Sequence, residues 1–295
     1  EKWWEKLIGL YKFYNIFEIQ DKIMPDNFGM LFLYNETSNQ IFDTFFMNKK
    51  KFLNKAIFSS LVLMETLFGT FSLYALDTNK TIYDGDKGPN TGGVGSVAPT
   101  GAIDDLIIHN IEQEIFKPLL EGMKKEGRPY KGILYLGGML TRDGVKIIEF
   151  NCRWGDPEAE VILPSIKADY LDIVEAVRSQ QLKKTRVLFD KKVRVSIAGC
   201  SKGYPGDYSK VLGKEIYGLT KAMKLPDVTI FGSGIKRSGK KFFVTGGRVF
   251  HVVGEGKSIL DAIKKAYQAM ALISIEGGNL HYRKDIGWRD IERLK

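Results

Sequence analysis

Apolar residues along this chain change their spacing several times, and each change predicts an element. Trp3, Trp4, Leu7, Ile8 and Tyr11 fall on one helical face, a stripe that docks on a protein core more often than on a bilayer surface. Residues 58–76 form a mostly apolar run downstream of Lys49, Lys50, Lys51 and Lys55. A membrane span there is disfavoured, because Glu65 sits near the centre, where a charge costs about 2.5–3.5 kcal/mol. Gly69 and Thr70 read as a turn, so the run is expected to fold as two strands. Strands are expected at 56–63, 71–76, 132–140 and 145–150, and beyond a polar junction at 178–186 also at 193–198, 227–231, 242–245 and 248–253. Ile107, Ile111, Ile115, Leu119 and Met123 recur every fourth residue, predicting a helix capped by Asp104 or Asp105 and stopped by Gly127. Further helices are expected at 169–179 and 258–273. This is an α+β pattern with mainly antiparallel sheets.

Composition narrows the class. The chain has 295 residues, 44% of them hydrophobic and 27% charged, an ordinary globular balance with a prior of two domains. Cys152 and Cys200 have no neighbouring cysteine or histidine partner, so neither a disulfide scaffold nor a zinc site is expected and a reducing, cytoplasmic setting fits. The net charge of +9 is uneven: residues 191–295 carry 21 Lys and Arg against nine Asp and Glu. A basic region beside a near-neutral one suits an anionic, phosphorylated ligand between them, or nucleic acid, or simply a solvated lysine-rich surface. Because the chain opens on Glu1 rather than Met, a longer parent protein is expected.

Candidate chemistry concentrates in two places. The run DGDKGPNTGGVGS at 84–96 is rich enough in glycine to be expected as a loop, bringing backbone N–H groups close to a phosphate or carboxylate. It fits neither the dinucleotide-binding nor the P-loop pattern. In VKIIEFNCRWGDPE at 145–158, alternation puts Glu149 and Asn151 on one face of a strand. An acid and an amide there supply two hard oxygen ligands of the kind Mg2+ on nucleotide phosphates requires. Arg153 points the same way if the strand continues, and would neutralise a phosphoryl group in transfer. The same spacing equally allows a sheet-edge salt bridge between Glu149 and Arg153.

These two motifs, with GILYLGGML at 132–140, GYPGDY at 203–208, TGGRV at 245–249 and HYRKDIG at 281–287, closely resemble the glycinamide ribonucleotide synthetase (phosphoribosylamine–glycine ligase) family. The resemblance runs in order from about Leu61 to the C-terminus. It implies the ATP-grasp fold, antiparallel sheets with helices, followed by a small C-terminal α+β, barrel-like domain. It also implies that ATP, glycine and 5-phosphoribosylamine yield glycinamide ribonucleotide, ADP and phosphate through a glycyl phosphate, with Mg2+ or Mn2+ as the metal. Carried over by position, Glu149 and Asn151 match the metal ligands and Arg153 the phosphate-side arginine. Asn90, Thr91, Gly92 and Gly93 match the stretch facing the substrates, and Asp156 and Glu158 match the turn beyond the metal strand. Glu65, in LVLMETL at 61–67, matches the acid that reaches the adenosine.

The implied division is 1–55 as a divergent remnant of the first lobe, 56–185 as the nucleotide- and metal-binding lobe, and 191–295 as the closing domain. Four departures stand beside the matches, one being that Tyr83 alone stands in for the family's longer, basic connection between the strand ending near Ile82 and the glycine-rich run. The family's N-terminal domain has no counterpart in these residues, which leaves a separate N-terminal half as a partner. No Gly-Lys-Gly core occurs around 21–29. Thr70-Phe71-Ser72 lacks the acid that normally precedes the serine. The alternative reading is a truncated or degenerate ATP-grasp relative that binds nucleotide or a partner without turnover; nucleic-acid or membrane partners are not expected.

Overall fold

Alternating and apolar runs become strands throughout the computed structural model, which describes residues 57–65, 72–141, 143–185 and 187–294, with side chains from Leu76 onward, Lys183 excepted. Strands β1 (Ile57–Glu65), β2 (Ser72–Tyr83) and β3 (Lys87–Ala98) precede α1 (Asp105–Ile111) and α2 (Lys117–Lys125), which are joined by a π-helical turn over Glu112–Phe116. Next come β4 (Gly132–Thr141), β5 (Gly144–Asn151), α3 (Ala159–Ile162), α4 (Tyr170–Arg178), β6 (Val193–Ser201), β7 (Glu215–Tyr217) and α5 (Leu219–Ala222). The chain closes with β8 (Val228–Gly232), β9 (Ile235–Ser238), β10 (Lys241–Val244), β11 (Arg248–Gly256), α6 (Ile259–Met270), β12 (Ser274–Ile275), β13 (Leu280–His281) and α7 (Trp288–Arg293).

One nine-stranded sheet runs β5-β4-β1-β2-β3-β6-β11-β8, with β13 also on β6, and its pairings are antiparallel. Its seam is the ladder between Gly95–Ala98 of β3 and Arg194–Ile197 of β6. A second sheet, β12-β7-β10-β9, is open. The fold is thus α+β with antiparallel sheets, as expected. The barrel-like expectation is corrected: among the described residues no barrel closes, because strands of two to four residues are too short to tilt and join end to end.

The apolar run at 58–76 forms β1 and β2, paired antiparallel from Ser59↔Asp77 to Met64↔Ser72. The expected turn at Gly69 and Thr70, the helical stripe at 3–11 and the lobe assigned to 1–55 lie outside the described residues. No helix among the described residues is long and apolar enough to cross a membrane. Asp104 caps α1 through a 2.8 Å bond from Ile107 N, and Asp169 and Ser258 cap α4 and α6 in the same way.

Two expectations change. The stripe recurring every fourth residue is broken by the π turn, so the buried positions run Ile111, Phe116 and Leu120 while Ile115 and Leu119 are only partly covered. Pro118 follows at the start of α2; it lacks an N–H and crowds the carbonyl of residue 114, and the wider turn before it accommodates both. The glycine-rich run is mostly strand rather than loop: only 84–86 turn, and β3 takes the rest. Its glycines serve close approach rather than looping. A Cβ on Gly88 would lie 2.4 Å from the Tyr83 ring, and one on Gly95 2.4 Å from Ile286 Cδ1.

The largest core lies between the β6–β11 ladder and α6, whose Ala262, Ala266 and Ala269 are fully buried. Small residues on both sides let helix and sheet close: a Cβ on Gly254 would meet Ala262 O at 2.3 Å. A second core seats Ile111, Phe116 and Leu120 on Leu134 and Leu136 of β4.

Candidate active site

Strand β5 forms one wall of a cleft of about 340 Å³. Its register sets Asn151 opposite Tyr135 and Glu149 opposite Gly137, with an irregularity between Gly137 and Gly138. Gly137 is required there, since a Cβ would lie 2.8 Å from Glu149 Cγ. Alternation then turns Glu149, Asn151 and Arg153 to the same cleft. Glu149 forms no salt bridge with Arg153 among the described residues; Arg153 Nη1 instead donates to Trp154 O at 2.8 Å.

The facing wall is built by β2, β3 and β11. Lys80 of β2 donates through Nζ to Gly92 O at 3.2 Å. Thr91 Oγ1 donates to Lys80 O at 2.7 Å and accepts from Gly93 N at 3.0 Å. Arg248, at the start of β11, reaches over: its Nη1 donates to Asp156 O at 2.6 Å and Gly93 O at 3.2 Å and lies 2.8 Å from Asp156 Oδ1. Gly92 leaves room for this guanidinium, as a Cβ would sit 3.1 Å from Nη2.

Behind Asp156 the wall is buried and polar. Glu158, 1% exposed, accepts from Thr78 Oγ1 at 2.8 Å and Tyr135 Oη at 3.0 Å. Glu160 Oε1 faces His251 Nδ1 at 3.1 Å. Burial, reinforced by the neighbouring Asp156 charge, pushes the Glu160 carboxyl up to about 7. Burial, with Arg248 adding to it, pushes His251 down to about 3. At neutral pH the imidazole is therefore uncharged.

Of the residues singled out from the sequence, Glu149, Asn151, Arg153, Asp156 and Gly92 converge on the cleft. Gly93 lies just behind, buried against Pro157 with φ +125°, and the Thr91 hydroxyl is occupied in bracing β3. Asn90 does not join them: it is exposed, opposite Thr81 on β3, and outside the cleft lining. Glu65 ends β1 opposite Gly132; its side chain lies outside the described residues. Sequence reasoning missed Lys80, Arg248 and the Glu160–His251 pair. Arg248 was within a quoted motif, but only the fold brings β11 to β3.

Comparison with known proteins agrees with this architecture. Residues 52–159 match the family model described as phosphoribosylglycinamide synthetase, ATP-grasp (A) domain, and residues 194–289 match its C domain. The phosphoribosylamine–glycine ligase of Caldanaerobacter subterraneus is 44% identical over 207 residues, covering 70% of this chain and 48% of the relative. The trifunctional purine biosynthetic protein adenosine-3 of Gallus gallus is 41% identical over 217 residues, covering 73% of this chain and 21% of the relative. The chain thus spans about half the length of the first relative and a fifth of the second. The crystal structure of the phosphoribosylamine–glycine ligase of Thermotoga maritima superimposes with a TM-score of 0.65 at 33% identity, over 80% of this chain and 56% of that one. Two matched family models in order, over the residues that build both walls of the cleft, show that this chain belongs to the phosphoribosylglycinamide synthetase family of the ATP-grasp superfamily.

Proposed function

We propose that this chain carries the ATP- and metal-binding part of a phosphoribosylamine–glycine ligase. The observation that supports this most is the convergence of Glu149, Asn151 and Arg153 on one cleft with Lys80 and Arg248 opposite. Such a site pairs hard oxygen donors with cations, as phosphoryl transfer needs. A carboxylate and an amide two residues apart on one strand face, with Gly137 leaving space for the Glu149 side chain, fit Mg2+ or Mn2+ as donor set. The bound ion would neutralise phosphate charge.

In the proposed reaction a glycine carboxylate oxygen attacks the γ-phosphorus of ATP and ADP leaves. The amine of 5-phosphoribosylamine then attacks the acyl carbon, phosphate leaves, and the nitrogen gives up a proton to form the amide. Arg153 and Lys80 spread the phosphoryl charge. Asp156, held by Arg248, offers negative charge to an amine substrate. Gly92 and Gly93 let β3 approach the reacting groups, with Asn90 at their edge, and Glu65 is assigned to the adenosine.

The test is Mg-ATP binding followed by trapping with hydroxylamine. Formation of glycine hydroxamate with equimolar ADP supports the ligase reading. A rise in unfolding temperature with Mg-ATP but no glycine-dependent ADP would instead support the alternative, a relative that binds nucleotide without turnover. No shift with Mg-ATP overturns the ligase reading and favours the alternative's other form, a truncated or degenerate relative that binds a partner without turnover.

A further inference from the structure

Directly beneath the cleft, Asp156, Glu160 and His251 bring one ligating atom each within 4.8 Å of one another. His251 Nδ1 stands 3.1 Å from Glu160 Oε1 and 3.7 Å from Asp156 Oδ1. A tetrahedral ion with ligand bonds of about 2.0–2.2 Å requires edges of about 3.3–3.6 Å, and the two edges of 3.1 and 3.7 Å bracket that range, so small side-chain adjustments would meet it. The side chains come from separate places, the turn after β5, α3 and β11, yet they point at one spot.

A second observation is independent of that spacing. His251 is 0% exposed, and the cluster holds two oxygens shielded from solvent with no hydrogen-bond donor, Asp156 Oδ1 and Glu160 Oε2. Shielded carboxylate oxygens without donors are costly unless a cation compensates them. The described cation within salt-bridge distance is Arg248, 2.8 Å from Asp156 Oδ1 and also committed to the carbonyls of Asp156 and Gly93. It leaves Glu160 without a cationic partner among the described residues, its neighbour at 3.1 Å being the uncharged His251 ring.

We propose that Asp156, Glu160 and His251 form a second cation site, separate from Glu149 and Asn151, for a borderline divalent transition ion of the Zn2+ or Mn2+ class. One imidazole among two carboxylates selects against Mg2+ and Ca2+, which take all-oxygen shells. The Asp156 side chain is 42% exposed and lines the cleft, so the ion enters from the substrate side and a water or substrate atom completes its shell. Once bound, it ties the turn after β5 to β11. The site stands whether or not the chain is a ligase.

The test uses the full chain without nucleotide, with Co2+ as spectroscopic probe and Zn2+ as competitor. The expected result is one Co2+ per chain with visible absorption, displaced by Zn2+ and not by excess Mg2+. Glu149→Ala should leave this binding unchanged. His251→Ala and Glu160→Gln should each weaken it at least about 10- to 100-fold, the range seen for loss of even an outer partner of a metal ligand. Circular dichroism verifies folding, and Glu160→Gln, nearly isosteric, decides the matter if His251→Ala does not fold. Absence of Co2+ absorption overturns the proposal, as does binding abolished by Glu149→Ala or retained in folded Glu160→Gln and His251→Ala.

Discussion

Arg248 and Asp156 are joined twice, once at the backbone carbonyl (2.6 Å) and once at the carboxylate (2.8 Å). The pair links β11 to the turn that follows β5. Hydrogen bonds from a charged donor contribute about 1.5–3 kcal/mol each; Nη1 makes two, to Asp156 O and Gly93 O, beside its ion-pair contact with the carboxylate, and a lysine side chain is one atom too short to place its nitrogen there. Arg248→Lys is therefore expected to destabilise the chain by roughly 1–3 kcal/mol. Urea unfolding measures it; an unchanged midpoint would refute the bridging role.

Glu149 is exposed at the cleft, so Glu149→Ala should leave the fold and the unfolding midpoint intact. With Glu149 in the proposed metal role, its loss should weaken Mg-ATP binding about tenfold or more while leaving metal-free ATP binding unaltered. Calorimetric titration with and without Mg2+ separates the two. Equal Mg-ATP affinity in mutant and wild type would remove Glu149 from the metal site.

Gly93 combines φ +125° with a would-be Cβ 2.5 Å from Pro157 Cδ. Gly93→Ala thus suffers both backbone strain and overlap and should lose roughly 2–4 kcal/mol. Gly144, at φ +88° with nothing within 4 Å, supplies the control: Gly144→Ala should lose only about 1–2 kcal/mol, the left-handed term alone. Equal losses in the two variants would mean that β3 and Pro157 are not closely packed.

Asp77 is fully buried, and Arg289 Nη1 lies 3.1 Å from both its carboxylate oxygens. Burial outweighs the pull of Arg289, lifting the carboxyl from 3.8 to about 6. Its folded value exceeds its unfolded one, so the stability it contributes is full below pH 3.8 and lost as pH rises to about 6. Asp77→Asn cannot ionise. Wild-type stability should fall relative to this variant across that window, by on the order of 3 kcal/mol. Chemical unfolding of both proteins on either side of the window checks the sign; a flat difference contradicts it.

Local signals were readable before any fold was known. The cap at Asp104 and the helix starts at 169 and 258 are written in a few neighbouring residues, and alternation alone placed Glu149 and Asn151 on one face. What escaped reading depends on distant partners. The glycines of β3 are needed because Arg248, Pro157 and Ile286 press against them, and those residues lie 64 to 191 positions away in places that only the sheet order reveals. Lys80 likewise becomes a cleft residue through β2 lying next to β3. The π turn before Pro118 shifted a helical face by one residue, which a fixed period cannot register.

The ladder between β3 and β6 has a mechanical consequence. Because Gly95–Ala98 and Arg194–Ile197 share one hydrogen-bonded seam, the basic C-terminal region is not hung on a linker like a door. Parting it from the β1–β5 side would tear a strand pairing, so any opening between the two falls to bending of the common sheet and to side chains at its rim.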